Sequence, residues 1–249
     1  MDKGNCIEFK VYGRYALFTD PLTRIGGEKF TYQIPTYQAL KGITESIYWK
    51  PTIQWYIDEV RIMNRIQTQS QGIRPIRYQD NKNDLSIYTY LKNVEYQVRA
   101  HFEWNYNRQD LEKDRNENKH FFIAKRMLER GGRRDIFLGT RECQGYVEPC
   151  KFGDDIGYYD DTELQFSLMF HGITYADEAY DEDTKNVMTS RFWTPKMKNG
   201  IIEFIRPEKC PVQRKLRTMK MKVFNKNEFS GLDEFEKGGE FDELDKLLI

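Results

Sequence analysis

Six segments of regular hydrophobic pattern follow one another between residues 5 and 140, and their order restricts the possible folds more than any other feature of the chain. The order is strand, helix, strand, strand, helix and strand. Apolar residues alternate in strand-like segments such as CIEFKVYGRYALF and LKNVEYQVRAHFEW, because successive side chains of a strand point to opposite faces. This order is typical of the ferredoxin-like split βαβ unit, which many RNA-binding domains use.

Capping residues and glycines delimit the two helices. Thr36 is a good N-cap for a helix that runs to Tyr48 or Trp49. The second helix covers NENKHFFIAKRMLER and ends at the glycine pair that follows it. The short segment DIFLGT then predicts the fourth strand. TIQWYIDEVRIMNRIQTQ predicts one long strand whose alternation slips near Glu59.

The chain after residue 150 is strand-like, in TELQFSLMFHGITYAD, VMTSRFWTPKMKNGIIEFI and KLRTMKMKVF. We therefore predict an α+β protein in which an N-terminal ferredoxin-like (RRM-like) domain is followed by a small antiparallel β-sheet domain. The predicted divisions are residues 1–148 for the first domain, residues 149–227 for the second, and residues 228–249 for an acidic, flexible tail.

The charges are segregated along the chain although 39 basic residues balance 39 acidic ones. Residues 191–227 contain 11 Lys and Arg but only two Glu, whereas residues 228–249 contain eight acids and two Lys. Basic blocks of this kind predict a polyanionic partner. No apolar run of about 18 residues and no signal-peptide region occurs, so we expect no membrane span and a cytoplasmic protein.

Several kinds of catalytic site are not supported by the residues. The four cysteines lack the close pairs that zinc sites use. The one candidate carboxylate cluster for magnesium, GDDIGYYDD, is more typical of a solvated loop. No P-loop, dinucleotide fingerprint or nucleophile elbow is present. We therefore predict no cofactor and no metal ion.

An adjacent lysine and histidine, Lys119 and His120, begin the second helix. The free N–H groups and the dipole of a helix N-terminus favour an anion, so a phosphate would find a cation and a titratable imidazole together there. RNA can be cleaved without a metal, because its own 2′-hydroxyl attacks the neighbouring phosphate and the protein supplies a base, an acid and a cation. Tyr48 would lie beside this helix in a ferredoxin-like fold.

Structural interpretations remain open for each of these residues. His120 lies at the edge of an apolar stripe, where a histidine is more often a hydrogen-bonded border residue than a catalytic one. Tyr48 is one of 16 tyrosines, and a packed or RNA-stacking role is about as frequent as a catalytic one.

Two long segments resemble a known protein family. IEFKVYGRYALFTDPLTRIGGEKFTYQIPTYQALKGITESIYWKP and NKHFFIAKRMLERGGRRDIFLGTRECQGYVEPC are similar to the CRISPR-associated Cas-five-d (Dvulg) family of type I-C systems, within the RAMP superfamily. The resemblance extends to about residue 225. It implies a metal-independent endoribonuclease that cuts CRISPR repeat RNA (pre-crRNA) beside its stem-loop. It also implies that the protein retains the crRNA 5′ handle and binds other subunits of a surveillance complex.

The resemblance implies that Tyr48, Lys119 and His120 are catalytic. From their chemistry, His120 would move a proton, Lys119 would stabilise charge on the phosphorane, and Tyr48 would orient or deprotonate the 2′-hydroxyl. The acid and base roles of Tyr48 and His120 could be exchanged. We expect aromatic and basic side chains to bind the RNA, namely Trp49, Lys50, Lys125, Arg126, Arg130, Arg133, Arg134 and Arg141.

One alternative function belongs to another class. The chain could be a non-catalytic subunit that only grips the crRNA handle, and such a subunit would not need the three catalytic side chains together. A weaker expectation is that the chain also binds duplex DNA, through residues 191–227.

Overall fold

The computed structural model describes residues 4–23 and 27–220, and within these ranges it contains two α-helices and thirteen β-strands. No helix in the described ranges is long and apolar enough to cross a membrane. In chain order the elements are β1 Cys6–Ala16, β2 Lys29–Phe30, α1 Tyr37–Ile47, β3 Ile53–Ile62, β4 Thr68–Ile73, β5 Ser86–Trp104, α2 Glu117–Glu129, β6 Ile136–Phe137, β7 Gln144–Pro149, β8 Glu163–Gln165, β9 Met169–Thr174, β10 Val187–Trp193, β11 Lys196–Lys198, β12 Ile201–Glu203 and β13 Val212–Thr218.

Four strands and both helices form the ferredoxin-like arrangement that the sequence predicts. Strands β7, β1, β5 and β3 lie side by side in this order, and each neighbouring pair is antiparallel. Helix α1 lies between β1 and β3 in the chain, and α2 lies between β5 and β7. The short strands β2 and β4 pair with β5 outside this unit. The predicted fold class, α+β with an N-terminal ferredoxin-like domain, is confirmed.

One face of the sheet packs against the two helices. Apolar residues at alternate positions of three strands are buried there, and α1 covers them with a stripe at helical spacing. Each fully buried side chain of this size contributes roughly 1.5–3 kcal/mol, so this layer fixes the helices on the sheet. The main members are Phe9, Trp55, Val98, Phe102, Leu40, Ile43 and Ile47.

The fourth strand of the unit is not the predicted segment DIFLGT. Only Ile136–Phe137 is a strand there, and it lies at the sheet edge beside β7. The chain turns at Gly139, which has φ +94° and lies so close to the Leu17 carbonyl that no Cβ would fit. The strand that pairs with β1 is β7, in which Gly145 and Val147 are buried and their neighbours are exposed. That alternation is the sequence signal for the true strand.

The predicted long strand from residue 52 is two strands. Strand β3 ends at Ile62, and β4 begins at Thr68 and pairs with a different part of β5. The slip in alternation near Glu59 is a β-bulge, since the register of β3 against β5 shifts between Ile57 and Glu59.

The strands after residue 150 belong to two sheets. Strands β13, β10 and β9 form a three-stranded antiparallel sheet, which is the predicted small sheet. Strands β8, β11 and β12 instead extend the first sheet beyond β3, to a total of ten strands in the described chain. Residues 149–220 therefore contribute to both sheets, and the domain boundary at 148/149 stays a prediction. The predicted tail, residues 228–249, lies outside the described residues.

Candidate active site and nucleic-acid interface

Tyr48 lies at the C-terminal end of α1, one residue beyond its last helical residue. Its backbone is extended, and its N–H donates to the Thr44 carbonyl over 3.1 Å, which closes the helix. Its own carbonyl accepts a hydrogen bond of 2.7 Å from the Trp55 indole. The side chain is 2% exposed. Tyr48 is therefore held by the helix end and by the sheet at the same time.

His120 lies in the first turn of α2 and is completely buried. The Asn116 side chain caps this helix by accepting from the Lys119 N–H over 3.0 Å. The His120 ring is 0% exposed and packs against the rings of Phe102 and Trp104. From its position on the helix, His120 was predicted to lie at the border of the apolar stripe. The structure instead places it inside the core layer.

Both ring nitrogens of His120 have hydrogen-bond partners. Nδ1 lies 2.8 Å from the Tyr48 hydroxyl oxygen, and Nε2 lies 2.8 Å from the main-chain carbonyl oxygen of Asp114. A carbonyl oxygen can only accept, so Nε2 carries the hydrogen and donates it. When the ring is neutral, Nδ1 is the acceptor, and the Tyr48 hydroxyl donates to it. The fold thus assigns this tautomer through the hydrogen-bond network.

Lys119 is the solvent-exposed member of the three predicted catalytic residues. Its side chain is 47% exposed, and its ammonium pairs with the Asp114 carboxylate. The second oxygen of that carboxylate accepts a hydrogen bond of 2.7 Å from the buried Thr52 hydroxyl. It also lies 3.5 Å from His120 Nε2. The structure therefore brings Tyr48, Lys119 and His120 into one connected cluster around Asp114.

The cluster changes the ionisation of two of its members. The pKa of Tyr48 is raised to about 12, first by burial and then by the negative charge of Asp114, while the charge of Arg133 opposes both. The hydrogen bond from Lys119 holds the pKa of Asp114 below its usual value. At neutral pH the site therefore contains a neutral phenol beside an ionised carboxylate.

Sequence reasoning missed Asp114 and Thr52. Asp114 ends a 3₁₀ turn over Gln109–Asp114 in a stretch rich in charged residues, where one carboxylate looks like any other. Thr52 follows Pro51 between α1 and β3, and nothing marks its hydroxyl as part of a site. One sequence feature could have pointed to Asp114 as a site residue: it stands two residues before Asn116, the N-cap of α2.

The loop after α2 attaches to the end of α1. The main-chain N–H groups of Arg133 and Arg134 donate to the Ser46 carbonyl over 3.1 and 3.0 Å, and that of Arg133 also reaches the Ile47 carbonyl. These are carbonyls of the last turn of α1, which have no partner within the helix. The loop thereby places two of the predicted RNA-binding arginines beside Tyr48.

The predicted RNA-binding side chains are all exposed, and none of the basic ones forms an ion pair with another described residue. Trp49 is 38% exposed and borders a cleft of about 650 Å³ that Arg108 also lines. Helix α2 carries two of the basic residues, Arg130 is its C-cap, and the loop after it carries two more. Arg141 lies apart, in the turn between β6 and β7. The set is Trp49, Lys50, Lys125, Arg126, Arg130, Arg133, Arg134 and Arg141.

A cavity of about 890 Å³ against β1, β3 and β5 does not include the cluster around Asp114. Five carboxylates line it together with Lys125 of α2, and the two arginines there are paired with carboxylates. The excess of carboxylates makes the cavity less suited to a polyanion than the basic surface of α2. The carboxylates are Glu8, Asp58, Glu59, Glu103 and Glu203.

Of the four aspartates in GDDIGYYDD, Asp160 has its carboxylate in a structural ion pair. Asp160 accepts hydrogen bonds of 2.7–3.1 Å from the buried Arg61 guanidinium, whose other N–H groups donate to the carbonyls of Asp154 and Asp155. Asp161 is the fourth member of that cluster. Within residues 4–23 and 27–220, no group of three or more His, Cys, Asp or Glu side chains is arranged to hold a metal ion.

The basic block at residues 191–227 is divided among different environments. Arg191 is buried and bonds to Thr174, and Arg206 pairs with Glu103 and Glu208. The exposed basic residues of the block are spread over both sheets: Lys196 and Lys198 are on β11, Arg214, Lys215 and Arg217 are on β13, and Lys209 and Lys220 lie just before and after β13. Residues 221–227 lie outside the described ranges.

Comparisons with known proteins agree with the resemblance found in the sequence. The family model Cas_Cas5d, described as CRISPR-associated protein (Cas_Cas5), matches residues 6–205. A protein of Mannheimia succiniciproducens named CRISPR pre-crRNA endoribonuclease Cas5d is 24% identical over 222 residues, which are 80% of this chain and 94% of that protein. A Thermus thermophilus protein of the same name is 27% identical over 154 residues, 57% of this chain and 63% of that protein.

Two solved structures share the fold at higher identity. A crystal structure of a CRISPR-associated protein is 36% identical, covers 84% of this chain and 96% of its own, and superposes with a TM-score of 0.71. A functionally uncharacterized protein from Streptococcus mutans is 38% identical with the same coverages and a TM-score of 0.69.

Proposed function

Since the chain belongs to the Cas5d family of CRISPR-associated proteins, we propose that it is a pre-crRNA endoribonuclease. It cleaves CRISPR repeat RNA near its stem-loop, keeps the 5′ handle, and acts as a subunit of a type I-C surveillance complex in the cytoplasm. The two relatives named pre-crRNA endoribonuclease support the activity. The observation that carries the proposal is the 2.8 Å hydrogen bond between Tyr48 and His120, 72 residues apart, directly beside Lys119.

The proposed reaction is an attack by the RNA's own 2′-hydroxyl. Its proton passes to the Tyr48 oxygen while the Tyr48 proton passes to Nδ1 of His120. The 2′ oxygen bonds to phosphorus, the bond to the 5′ oxygen breaks, and that oxygen takes a proton from Lys119 or from water. The products are a 2′,3′-cyclic phosphate and a 5′-hydroxyl, and no step uses a metal ion.

The geometry supports this division of roles. Because burial raises the pKa of Tyr48 to about 12, its phenol is a poor base alone and serves better as a relay to the imidazole. Lys119 has three N–H donors and uses at least one on Asp114, so others remain for the phosphorane oxygens. Trp49 and the exposed arginines hold the RNA beside them.

One observation favours the alternative of a non-catalytic subunit that binds the crRNA handle. Tyr48 and His120 are almost fully buried in the RNA-free protein, and both nitrogens of His120 are occupied. The enzyme proposal therefore requires that bound RNA gains access to the Tyr48 hydroxyl. A purely structural Tyr48–His120 pair would not need this.

The test is single-turnover cleavage of repeat RNA in excess chelator. We expect cleavage with a cyclic phosphate on the upstream product, and no cleavage when the 2′-hydroxyl at the cut is replaced by hydrogen. Tyr48→Phe, Lys119→Ala and His120→Ala should each lower the rate by about 10²–10⁴ while binding is retained.

Lys125→Ala on the exposed side of α2 is the matched control, and it should weaken binding with little change in rate. If the parent binds repeat RNA but does not cleave it, the enzyme proposal is wrong and the handle-binding subunit takes its place. If all three site variants cleave at the parent rate, the assignment of Tyr48, Lys119 and His120 as catalytic residues is wrong. A strict requirement for magnesium would contradict the metal-independent reaction alone.

A further inference from the structure

Asp114 contacts two of the three proposed catalytic residues, Lys119 and His120. Its carboxylate pairs with the Lys119 ammonium and accepts from the Thr52 hydroxyl over 2.7 Å. Its main-chain carbonyl accepts from His120 Nε2 over 2.8 Å. One residue therefore touches both members of the Lys119–His120 dipeptide and is itself anchored to the segment between α1 and β3.

We propose that Asp114 is a positioning residue for the cleavage reaction, and that its carboxylate aims the Lys119 ammonium at the scissile phosphate. This inference rests on the proposed endoribonuclease function and extends it to a residue outside the expected catalytic set. Asp114 does not contact the reacting atoms in this role, and it acts through Lys119.

The physical argument begins with the freedom of a lysine side chain. Four rotatable bonds let the half-exposed Lys119 sample many positions, and holding it in one of them costs side-chain entropy. An ion pair to a fixed carboxylate restricts that freedom before RNA binds. The remaining N–H groups of the ammonium are then already directed when the phosphate arrives.

The carboxylate is suited to hold the lysine because it is itself fixed. Thr52 is buried, and its hydroxyl orients one carboxylate oxygen while the other faces Lys119. The Asn116 N–H donates to the Asp114 carbonyl over 2.9 Å, which tightens the connection to α2. The hydrogen bond from Lys119 also keeps the pKa of Asp114 low, so the carboxylate is ionised at neutral pH.

The test is a double-mutant cycle on single-turnover cleavage of repeat RNA. Asp114→Asn keeps the shape of the side chain and the main-chain carbonyl, but it removes the charge that holds Lys119. We expect it to cleave about 10- to 100-fold more slowly with RNA affinity nearly unchanged. In a Lys119→Ala background, Asp114→Asn should cause no further loss, because its effect passes through Lys119.

Asp110→Asn is the matched control. Asp110 lies in the same 3₁₀ turn and pairs with Arg108 at the surface, so its rate should equal that of the parent. Thr52→Val is a second variant, which keeps the Asp114 charge but removes the hydroxyl that orients it. Thr52→Val should lower the cleavage rate less than Asp114→Asn does. In the Lys119→Ala background it should lower the rate no further.

An independent measurement separates this inference from the proposed function. Proton–nitrogen NMR of the RNA-free protein should show a Lys119 ammonium signal protected from exchange, which is lost in Asp114→Asn. If the parent cleaves no RNA, the enzyme proposal fails. If the Lys119 ammonium signal is retained in Asp114→Asn, the positioning role of Asp114 is wrong, whether or not the parent cleaves. Tighter binding or faster cleavage by Asp114→Asn would also overturn it, since the carboxylate would then compete with the phosphate. The positioning role is also wrong if Asp114→Asn lowers the cleavage rate by the same factor in the Lys119→Ala background as in the parent.

Discussion

At the residue scale, the candidate site is a chain of hydrogen bonds in which the important polar atoms already have partners. The Tyr48 hydroxyl donates to His120, His120 donates to the Asp114 carbonyl, and the Asp114 carboxylate binds Thr52 and Lys119. Buried polar groups are stable only when satisfied in this way. The same network that stabilises the buried side chains therefore fixes the tautomer that the proposed reaction requires.

The ionisation of Tyr48 gives a prediction at this scale. Burial and, to a smaller extent, the Asp114 charge raise its pKa from 10.0 to about 12. A phenol whose pKa is raised by folding stabilises the protein below the pKa of the unfolded chain, and this contribution is lost as pH rises through the folded value. We expect the excess stability of the parent over Tyr48→Phe to decline between about pH 10 and pH 12.

The measurement is the ultraviolet difference absorbance of phenolate, parent minus Tyr48→Phe, together with denaturant unfolding across that range. Asp114→Asn should move the Tyr48 transition to lower pH, because it removes one cause of the raised pKa. A transition at or below pH 10 would contradict the burial of this hydroxyl.

At the element scale, the end of α1 depends on the loop that ends α2. Gly132 has φ +106°, a conformation that side chains rarely adopt, and a Cβ there would lie 3.1 Å from the Arg134 carbonyl oxygen. The following N–H groups bind the last carbonyls of α1, just before Tyr48. The two helices are thus connected at the site by main-chain hydrogen bonds.

Gly132→Ala should therefore destabilise the protein by about 1–3 kcal/mol, because the alanine must hold a strained backbone conformation. It should also slow cleavage, since the end of α1 carries Tyr48. Gly42→Ala is the matched control: Gly42 lies within α1, and a Cβ there meets no atom within 4 Å. It should raise stability by roughly 0.5–1 kcal/mol. Denaturant unfolding measures both changes, and equal effects of the two variants would disprove the role of the loop.

At the scale of the whole molecule, a basic surface on α2 and the following loop adjoins an acidic cavity, which Lys125 also lines. Lys119 pairs with Asp114, but the other exposed basic side chains of α2 and the following loop form no ion pair with another described residue. Arg206, in contrast, is paired with Glu103 and Glu208. Unpaired cations are the ones that release counterions from RNA when they bind phosphate. The surface around α2 is therefore the expected path of the RNA.

Binding of repeat RNA should weaken as salt increases, with a slope set by the number of neutralised phosphates. Replacing both Arg133 and Arg134 with alanine should lower the slope of log affinity against log salt by about 1.4–1.8, at roughly 0.7–0.9 for each phosphate contact. The position of the cut should not change. Arg206→Ala, from the basic block but already paired, should leave the slope nearly unchanged. A parent slope near zero would contradict the electrostatic interface.

Short-range patterns in the sequence were sufficient for the element order and the fold class. Thr36 and Asn116 cap their helices through their own side chains, and alternation places Phe9 and Phe102 on the buried face. Such features depend on residues a few positions apart, so they can be read without the fold. The same patterns failed at the fourth strand, because the choice between Ile136–Phe137 and Gln144–Pro149 depends on which segment reaches β1.

The sequence also allowed three residues of the candidate site to be predicted, because its resemblance to a known family pointed to Tyr48, Lys119 and His120. Only the tertiary structure decided that His120 is buried, that Nδ1 is its accepting nitrogen, and that Asp114 and Thr52 belong to the same network. Burial and tautomer depend on partners up to 72 residues away, which packing of α1 and α2 on one sheet brings together. No sequence pattern within α1 or α2 predicts that Tyr48 and His120 come into contact.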